Sequence, residues 1–87
     1  MRYHLSIIIP VLNEAYIINR TLMHLQNMEG DFRIELIIVD GDPEGSTIAA
    51  VTAATVKKIM APRGRGCQMH QGARLATGEI LIFLQGL

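Results

Sequence analysis

Three acidic residues lie close together in the stretch VDGDPEGST, which begins at residue 39. Asp40 and Asp42 are two residues apart, and Glu44 follows them. Hard divalent cations take carboxylate oxygens, so a D-x-D pair of this kind could hold a metal ion. Aspartate is also a common turn residue, because its side chain accepts hydrogen bonds from the backbone that follows it. The sequence offers both interpretations, and the choice depends on where the stretch lies in the fold.

The charged residues are segregated along the chain. Six of the eight acidic residues lie between residues 29 and 44, and four of the eight basic residues are Lys57, Lys58, Arg63 and Arg65. One interpretation is a pair of solvated faces of opposite charge. The other is a basic loop that binds an anion.

Length and composition limit the class of protein. A chain of 87 residues allows one small domain, and 49% hydrophobic residues argue against disorder. A formal net charge of zero argues against a general nucleic-acid-binding protein. Cys67 is the only cysteine, which excludes an internal disulfide and favours a cytoplasmic location. No apolar run approaches the roughly 18 residues that a membrane helix needs, and residues 1–15 lack the cleavage pattern of a signal peptide.

Hydrophobic periodicity predicts four strands that alternate with three helices. The strands are expected at residues 5–10, 34–39, 56–60 and 79–84. The helices are expected at residues 14–28, at residues 46–54, and from the loop at residues 62–66 to residue 77. We expect Asn13 to cap the first helix and Ser46 or Thr47 to cap the second. This alternation predicts a Rossmann-like three-layer α/β/α fold with a parallel sheet of about four strands.

The predicted topology also predicts where a ligand would bind. In open parallel sheets, ligands bind beyond the carboxyl ends of the strands, where the strand order reverses. The loops at residues 10–14, 40–45, 63–66 and 85–87 should therefore converge on one crevice.

Three segments in this order resemble family 2 glycosyltransferases: SIIIPVLNE, ELIIVDGDPEGST and GRGCQMHQGARLATGEILIFL. The resemblance covers nearly all of residues 1–87, which would form the N-terminal, nucleotide-sugar-binding half of the family's domain. It implies the GT-A fold and a nucleotide-diphosphosugar partner, with a UDP-sugar as the expected donor. The activity that it implies is transfer of the sugar to an acceptor hydroxyl.

The resemblance implies that one end of the crevice holds the nucleoside. Pro10, Asn13 and Glu14 match the family loop that touches the base and the ribose. Asp40, followed by Gly41, matches the acid that accepts a hydrogen bond from the base. This role agrees with the chemistry, because an ionised carboxylate only accepts and the ring N–H of uracil donates.

The resemblance also implies a place for the diphosphate. Arg63 and Arg65 match family arginines in the loop that enters the third helix. A helix N-terminus favours phosphate, and a guanidinium adds bidentate contact. We favour Arg65, because the G-R-x-x-Q-M pattern falls on Gly64 to Met69.

Two departures from the family pattern affect the predicted chemistry. The run Ser-x-Asp-Gly-Thr after the D-G turn is replaced by residues 43–47, PEGST. The family's metal-binding D-x-D follows the fourth strand, where this sequence reads Gln85-Gly86-Leu87. In the family, divalent Mn or Mg stabilises the leaving nucleotide there, and a later carboxylate deprotonates the acceptor. We therefore expect no cofactor, no metal ligand and no catalytic residue in residues 1–87, and no activity for this chain by itself.

Other interpretations of the same residues remain. Asp42 could be only a turn residue, and Glu14 could only interact with a helix dipole. An NAD site is disfavoured because Met69 stands where the third glycine of a dinucleotide fingerprint would be. The alternative to a transferase domain is a non-catalytic assembly module. The apolar segment at residues 79–84 would then be an exposed edge strand through which the chain forms a homo-oligomer.

Overall fold

A computed structural model describes residues 2–85, which form four strands and three helices in strict alternation. The strands are β1 (Tyr3–Val11), β2 (Phe32–Asp40), β3 (Lys57–Met60) and β4 (Ile80–Phe83). The helices are α1 (Ile18–Gln26), α2 (Ser46–Ala50) and α3 (Arg65–Leu75). The predicted α/β class and the predicted order of elements are confirmed.

The strands form one parallel sheet in the order β3-β2-β1-β4. The chain adds β2 and β3 on one side of β1 and then returns to place β4 on the other side. The strand order therefore reverses between β1 and β4, which is the position where parallel α/β sheets bind ligands.

Both faces of the central strands are buried, which explains their continuous apolar sequence. Successive side chains of a strand point to opposite faces. On one face, Ile7 and Ile9 of β1 pack in a core cluster with Ile18 and Leu22 of α1. On the other face, Ile8 joins a second buried cluster formed by β1 and β2, which α3 covers. This pattern is typical of a parallel sheet with helices on both faces.

The predicted helix caps are wrong. α1 begins at Ile18, and Asn13 lies in the preceding loop with a left-handed φ of 55°. A turn intervenes, because the N–H groups of Ile17 and Ile18 both donate to the carbonyl of Glu14. The N-cap of α2 is Gly45, with φ 63°, and neither Ser46 nor Thr47 is the cap.

No helix within residues 2–85 is long and apolar enough to span a membrane. The longest of them, α3, has 11 residues.

Candidate functional site

A cleft of about 270 Å³ opens where the strand order reverses. We call it the β1–α3 cleft, because the end of β1 and the N-terminus of α3 form its walls. Gln85, which follows β4, closes one side. The cleft is lined by Pro10, Val11, Leu12, Glu14, Arg63, Gly64, Arg65, Gln68 and Gln85.

The β1–α3 cleft brings together four of the seven residues that the sequence assigned to a nucleotide site. They are Pro10, Glu14, Arg63 and Arg65. The other three lie elsewhere. Asn13 is an exposed loop residue and is not part of the lining, while Asp40 and Gly41 are buried at the end of β2.

A second, more apolar cleft of about 480 Å³ lies between the ends of β2 and β3. We call it the β2–β3 cleft. Its lining is Gly41, Asp42, Pro43, Met60, Ala61, Pro62 and Arg63. Arg63 lines both clefts, so its side chain lies between a polar cavity and an apolar one.

Asp40 has a structural role at the end of β2. Its Oδ2 accepts hydrogen bonds from the backbone N–H groups of Thr47 and Ile48, both at 3.1 Å. Its Oδ1 accepts from the N–H of Asp42 at 2.9 Å. These N–H groups lie in the turn after β2 and the first turn of α2, where helical N–H groups lack partners. Asp40 therefore replaces the cap that α2 does not have, and its contact with a nucleobase stays a prediction.

The turn interpretation of Asp42 is confirmed. Its Oδ1 accepts from the N–H of Glu44 at 3.1 Å, and its Oδ2 accepts from the N–H of Ser46 at 3.2 Å. The carboxylates of the D-x-D pair are thus directed at their own backbone. Across residues 2–85, no group of three or more His, Cys, Asp or Glu side chains could hold a metal ion. The segment where the resemblance places the family's metal-binding D-x-D, residues 85–87, lies outside the described residues except for Gln85.

Glu14 places a carboxyl group at the wall of the β1–α3 cleft. Its backbone N–H donates to Thr47 Oγ1 at 2.9 Å, which ties the loop after β1 to α2. Its Oε2 is buried and has no hydrogen-bond partner within residues 2–85. Burial raises the pKa of Glu14, and the nearby charge of Asp40 raises it further.

Arg63 and Arg65 give the opposite wall a positive character. Both are exposed, and they flank Gly64, the N-cap residue of α3. The first turn of α3 contains no acidic residue, so its free N–H groups and the positive end of its dipole are not neutralised there. An anion such as a phosphate would be favoured at this position.

Gln68 is a cleft residue to which the sequence analysis assigned no role. It is 4% exposed, and its side-chain amide bonds to both central strands. One signal was present in the sequence: Gln68 and Gly72 share a helix face, and Gly72 interrupts an otherwise regular helical pattern. A polar residue on the sheet-facing side of a helix needs partners, and here it has them.

Comparison with known proteins gives one family. A sequence profile described as Glycosyl transferase family 2 matches residues 6–85, which is most of the chain. A search of curated proteins finds no match to this sequence. The resemblance read from the three motifs is confirmed.

Proposed function

The chain belongs to glycosyltransferase family 2, and from this premise we propose that the β1–α3 cleft binds the nucleotide of a nucleotide-diphosphosugar donor. The donor that we propose is a UDP-sugar, whose sugar is transferred to an acceptor hydroxyl. Residues 1–87 would supply the donor-binding half of the family's domain.

The convergence of charged groups at the reversal of strand order is the observation that carries this proposal. Arg63, Arg65 and the N-terminus of α3 surround one side of a cleft large enough for a diphosphate. A guanidinium binds phosphate oxygens in a bidentate manner, and the helix N-terminus adds backbone donors. The two arginines would therefore neutralise and orient the diphosphate.

The base would lie toward the end of β2. An ionised carboxylate has about four acceptor positions on its two oxygens. Asp40 uses two on Oδ2 and one on Oδ1. Its side chain is fully buried, so a ring N–H of the base would use the fourth position only if binding exposes Oδ1. Gly41 belongs to the adjoining β2–β3 cleft, whose apolar lining suits the face of a flat ring.

We further propose that residues 1–87 by themselves bind the donor without transferring its sugar. Divalent Mn or Mg supplies Lewis-acid stabilisation of the leaving nucleotide in this family. The described residues contain no ligand cluster for such an ion, so no step of the transfer is assigned to them. Their proposed contribution is to bind and orient the nucleotide.

Titration with UDP, monitored by the NMR chemical shifts of the backbone amides, tests donor binding. We expect shifts at Arg65 and Gly41, and about tenfold weaker binding for Arg65→Ala than for the unaltered chain. Arg20→Ala is the matched control, because Arg20 is exposed on α1 and lies outside both clefts. A folded sample in which neither loop responds to UDP would contradict the proposal.

A second candidate function is a self-associating assembly module. The four residues of β4 are each about 40% exposed, and β4 is an edge of the sheet. Apolar edge strands with open backbone groups pair with other chains. Light scattering over a range of protein concentrations distinguishes a monomer from an oligomer. A monomer at the highest concentration would exclude this candidate.

A further inference from the structure

We propose that Gln68 is a positioning residue that holds the arginine loop, residues 63–65, against the ends of both central strands. The inference rests on the proposed nucleotide binding in the β1–α3 cleft, and it assigns a role that the family resemblance did not supply. Gln68 would act on the ligand through Arg65 and not by direct contact.

The side-chain amide of Gln68 joins three separate parts of the fold. Its Nε2 donates to the carbonyl of Val11 at 2.9 Å and to the carbonyl of Val39 at 2.9 Å. Its Oε1 accepts from the N–H of Gly64 at 3.1 Å. The last residue of β1, the penultimate residue of β2 and the N-cap of α3 are therefore linked by one side chain.

These bonds leave Gln68 without a free donor. A primary amide has two N–H groups, and both are used by the strand carbonyls. Gln68 lines the β1–α3 cleft, but a phosphate group needs donors that this side chain no longer has. Its influence on an anionic ligand must therefore pass through the groups that it holds in place.

Two glycines make room for this amide. A Cβ at Gly41 would lie 2.8 Å from Oε1 of Gln68, which is too close for any other residue without a shift. A Cβ at Gly72 would lie 2.5 Å from a methyl carbon of Ile8, so α3 approaches the sheet at this glycine. Gln68 is one turn before Gly72 on the same helix face. The close approach at Gly72 therefore brings the amide within reach of the carbonyls.

Gly64 connects Gln68 to the arginines. Its backbone accepts a hydrogen bond from the N–H of Gln68 at 2.9 Å and donates one to the side chain of the same residue at 3.1 Å. Gly64 has φ 142° and no side chain that could cap α3, and this reciprocal pair holds it against the first turn of the helix. Arg63 and Arg65 are its direct neighbours. A loop ordered before binding gives higher affinity, because less conformational entropy is lost on binding.

A double-mutant cycle with UDP as the ligand tests the inference. We expect Gln68→Ala to weaken UDP binding by about tenfold in the unaltered chain, and to cause little further loss in the Arg65→Ala background. Gln71→Ala is the matched control, since Gln71 is on the same helix but lines a different pocket, and it should bind UDP normally. An equal loss in both backgrounds, or no loss at all, would overturn the positioning role.

Amide exchange provides a test that needs neither a variant nor a ligand. The side-chain amide protons of Gln68 and the backbone amide of Gly64 should exchange far more slowly than the side-chain amide of the exposed Gln26. Exchange as fast as that of Gln26 would overturn the inference even if Gln68→Ala fails to fold. If the unaltered chain does not bind UDP, the proposed function fails. In that case the positioning role would still be supported by two results. The amides of Gln68 and Gly64 would exchange slowly in the unaltered chain, and the backbone of Arg65 would move faster in Gln68→Ala than in the unaltered chain.

Discussion

Glu35 lies at the end of the sheet opposite to the clefts. Its side chain contacts β1, β3 and the segment that precedes β4. Its side chain is 13% exposed and forms an ion pair with Lys57 of β3 at 2.6 Å. It accepts a hydrogen bond from Ser6 of β1 at 2.7 Å, and two from Thr77 at 3.0 Å. Burial would raise the pKa of Glu35, but the bonds from Lys57, Thr77 and Ser6 outweigh it and lower the pKa to about 2.

This lowered pKa predicts a dependence of stability on pH. The ordinary pKa is 4.5, so the stabilisation from ionised Glu35 is present above pH 4.5 and is lost as the pH falls toward 2. Glu35→Gln should lower the free energy of unfolding at pH 7 and flatten its fall between pH 4.5 and 2. Urea unfolding across this pH range measures both effects. The exposed Glu29→Gln should leave the curve unchanged, and an unchanged curve for Glu35→Gln would refute the prediction.

Asp40 and Asp42 provide a second comparison between single residues. Asp40→Asn places an NH₂ group against backbone donors that the buried carboxylate now satisfies, at a cost of about 1–3 kcal/mol. Asp42→Asn alters bonds nearer the solvent and should cost less stability than Asp40→Asn. Thermal unfolding of both variants gives the ranking. Equal losses of stability in the two variants would mean that the bonds from Asp40 to α2 contribute no more than the bonds of Asp42.

At the scale of elements, α3 has one face in close contact with the sheet and one face open to solvent. Gly72 faces Ile8 and Val39, where an added Cβ would come within 2.5 and 2.9 Å of methyl carbons. Gly66 belongs to the same helix, but nothing lies within 4 Å of its added Cβ. The two glycines therefore differ in packing while sharing the same secondary structure.

Alanine substitution should have opposite effects at these two positions. Gly72→Ala would push α3 away from the sheet and destabilise the chain by about 1–3 kcal/mol. Gly66→Ala should stabilise it by about 0.5–1 kcal/mol, because alanine loses less backbone entropy in a helix. Chemical denaturation of the two variants is the measurement. Destabilisation of similar size at both positions would show that the packing of α3 on the sheet does not determine the effect of alanine.

At the scale of the whole molecule, the sheet is asymmetric in its coverage. α1 and α3 cover opposite faces of β1 and β2, whereas Ile80, Leu81, Ile82 and Phe83 stay substantially exposed. β4 pairs with β1 on one side, and it is the edge of the described sheet on the other. Four successive apolar side chains at an edge form a surface suited to strand pairing.

The proposed self-association through β4 predicts that a single charge on this strand would disrupt it. Ile82→Lys would place an ammonium group on this edge and should convert an oligomer to a monomer. Met23→Lys is the control, because Met23 is also apolar and exposed but lies on α1. Analytical ultracentrifugation of both variants reports the change. An oligomer that survives Ile82→Lys would place its interface elsewhere.

The sequence by itself determined the α/β class, the order of the seven elements and the family. These features depend on local periodicity and on short motifs, which are visible along the chain. The convergence of Pro10, Glu14, Arg63 and Arg65 on one cleft also followed from the sequence, because the carboxyl ends of parallel strands meet at one edge. Element boundaries were less accurate: α1 begins at Ile18, four residues later than expected, because a turn precedes it.

Only the tertiary structure decided which side chains satisfy which backbone groups. Asp40 caps a helix that begins six residues later in the sequence, and this replaced the local caps predicted at Ser46 or Thr47. Gln68 reaches carbonyls 57 and 29 residues away. Partners at such separations leave no periodic signal, because they meet only after the strands have paired and α3 has packed at Gly72. Asp40 and Asp42 of VDGDPEGST therefore accept hydrogen bonds from the backbone in this fold, which their spacing in the sequence could not reveal.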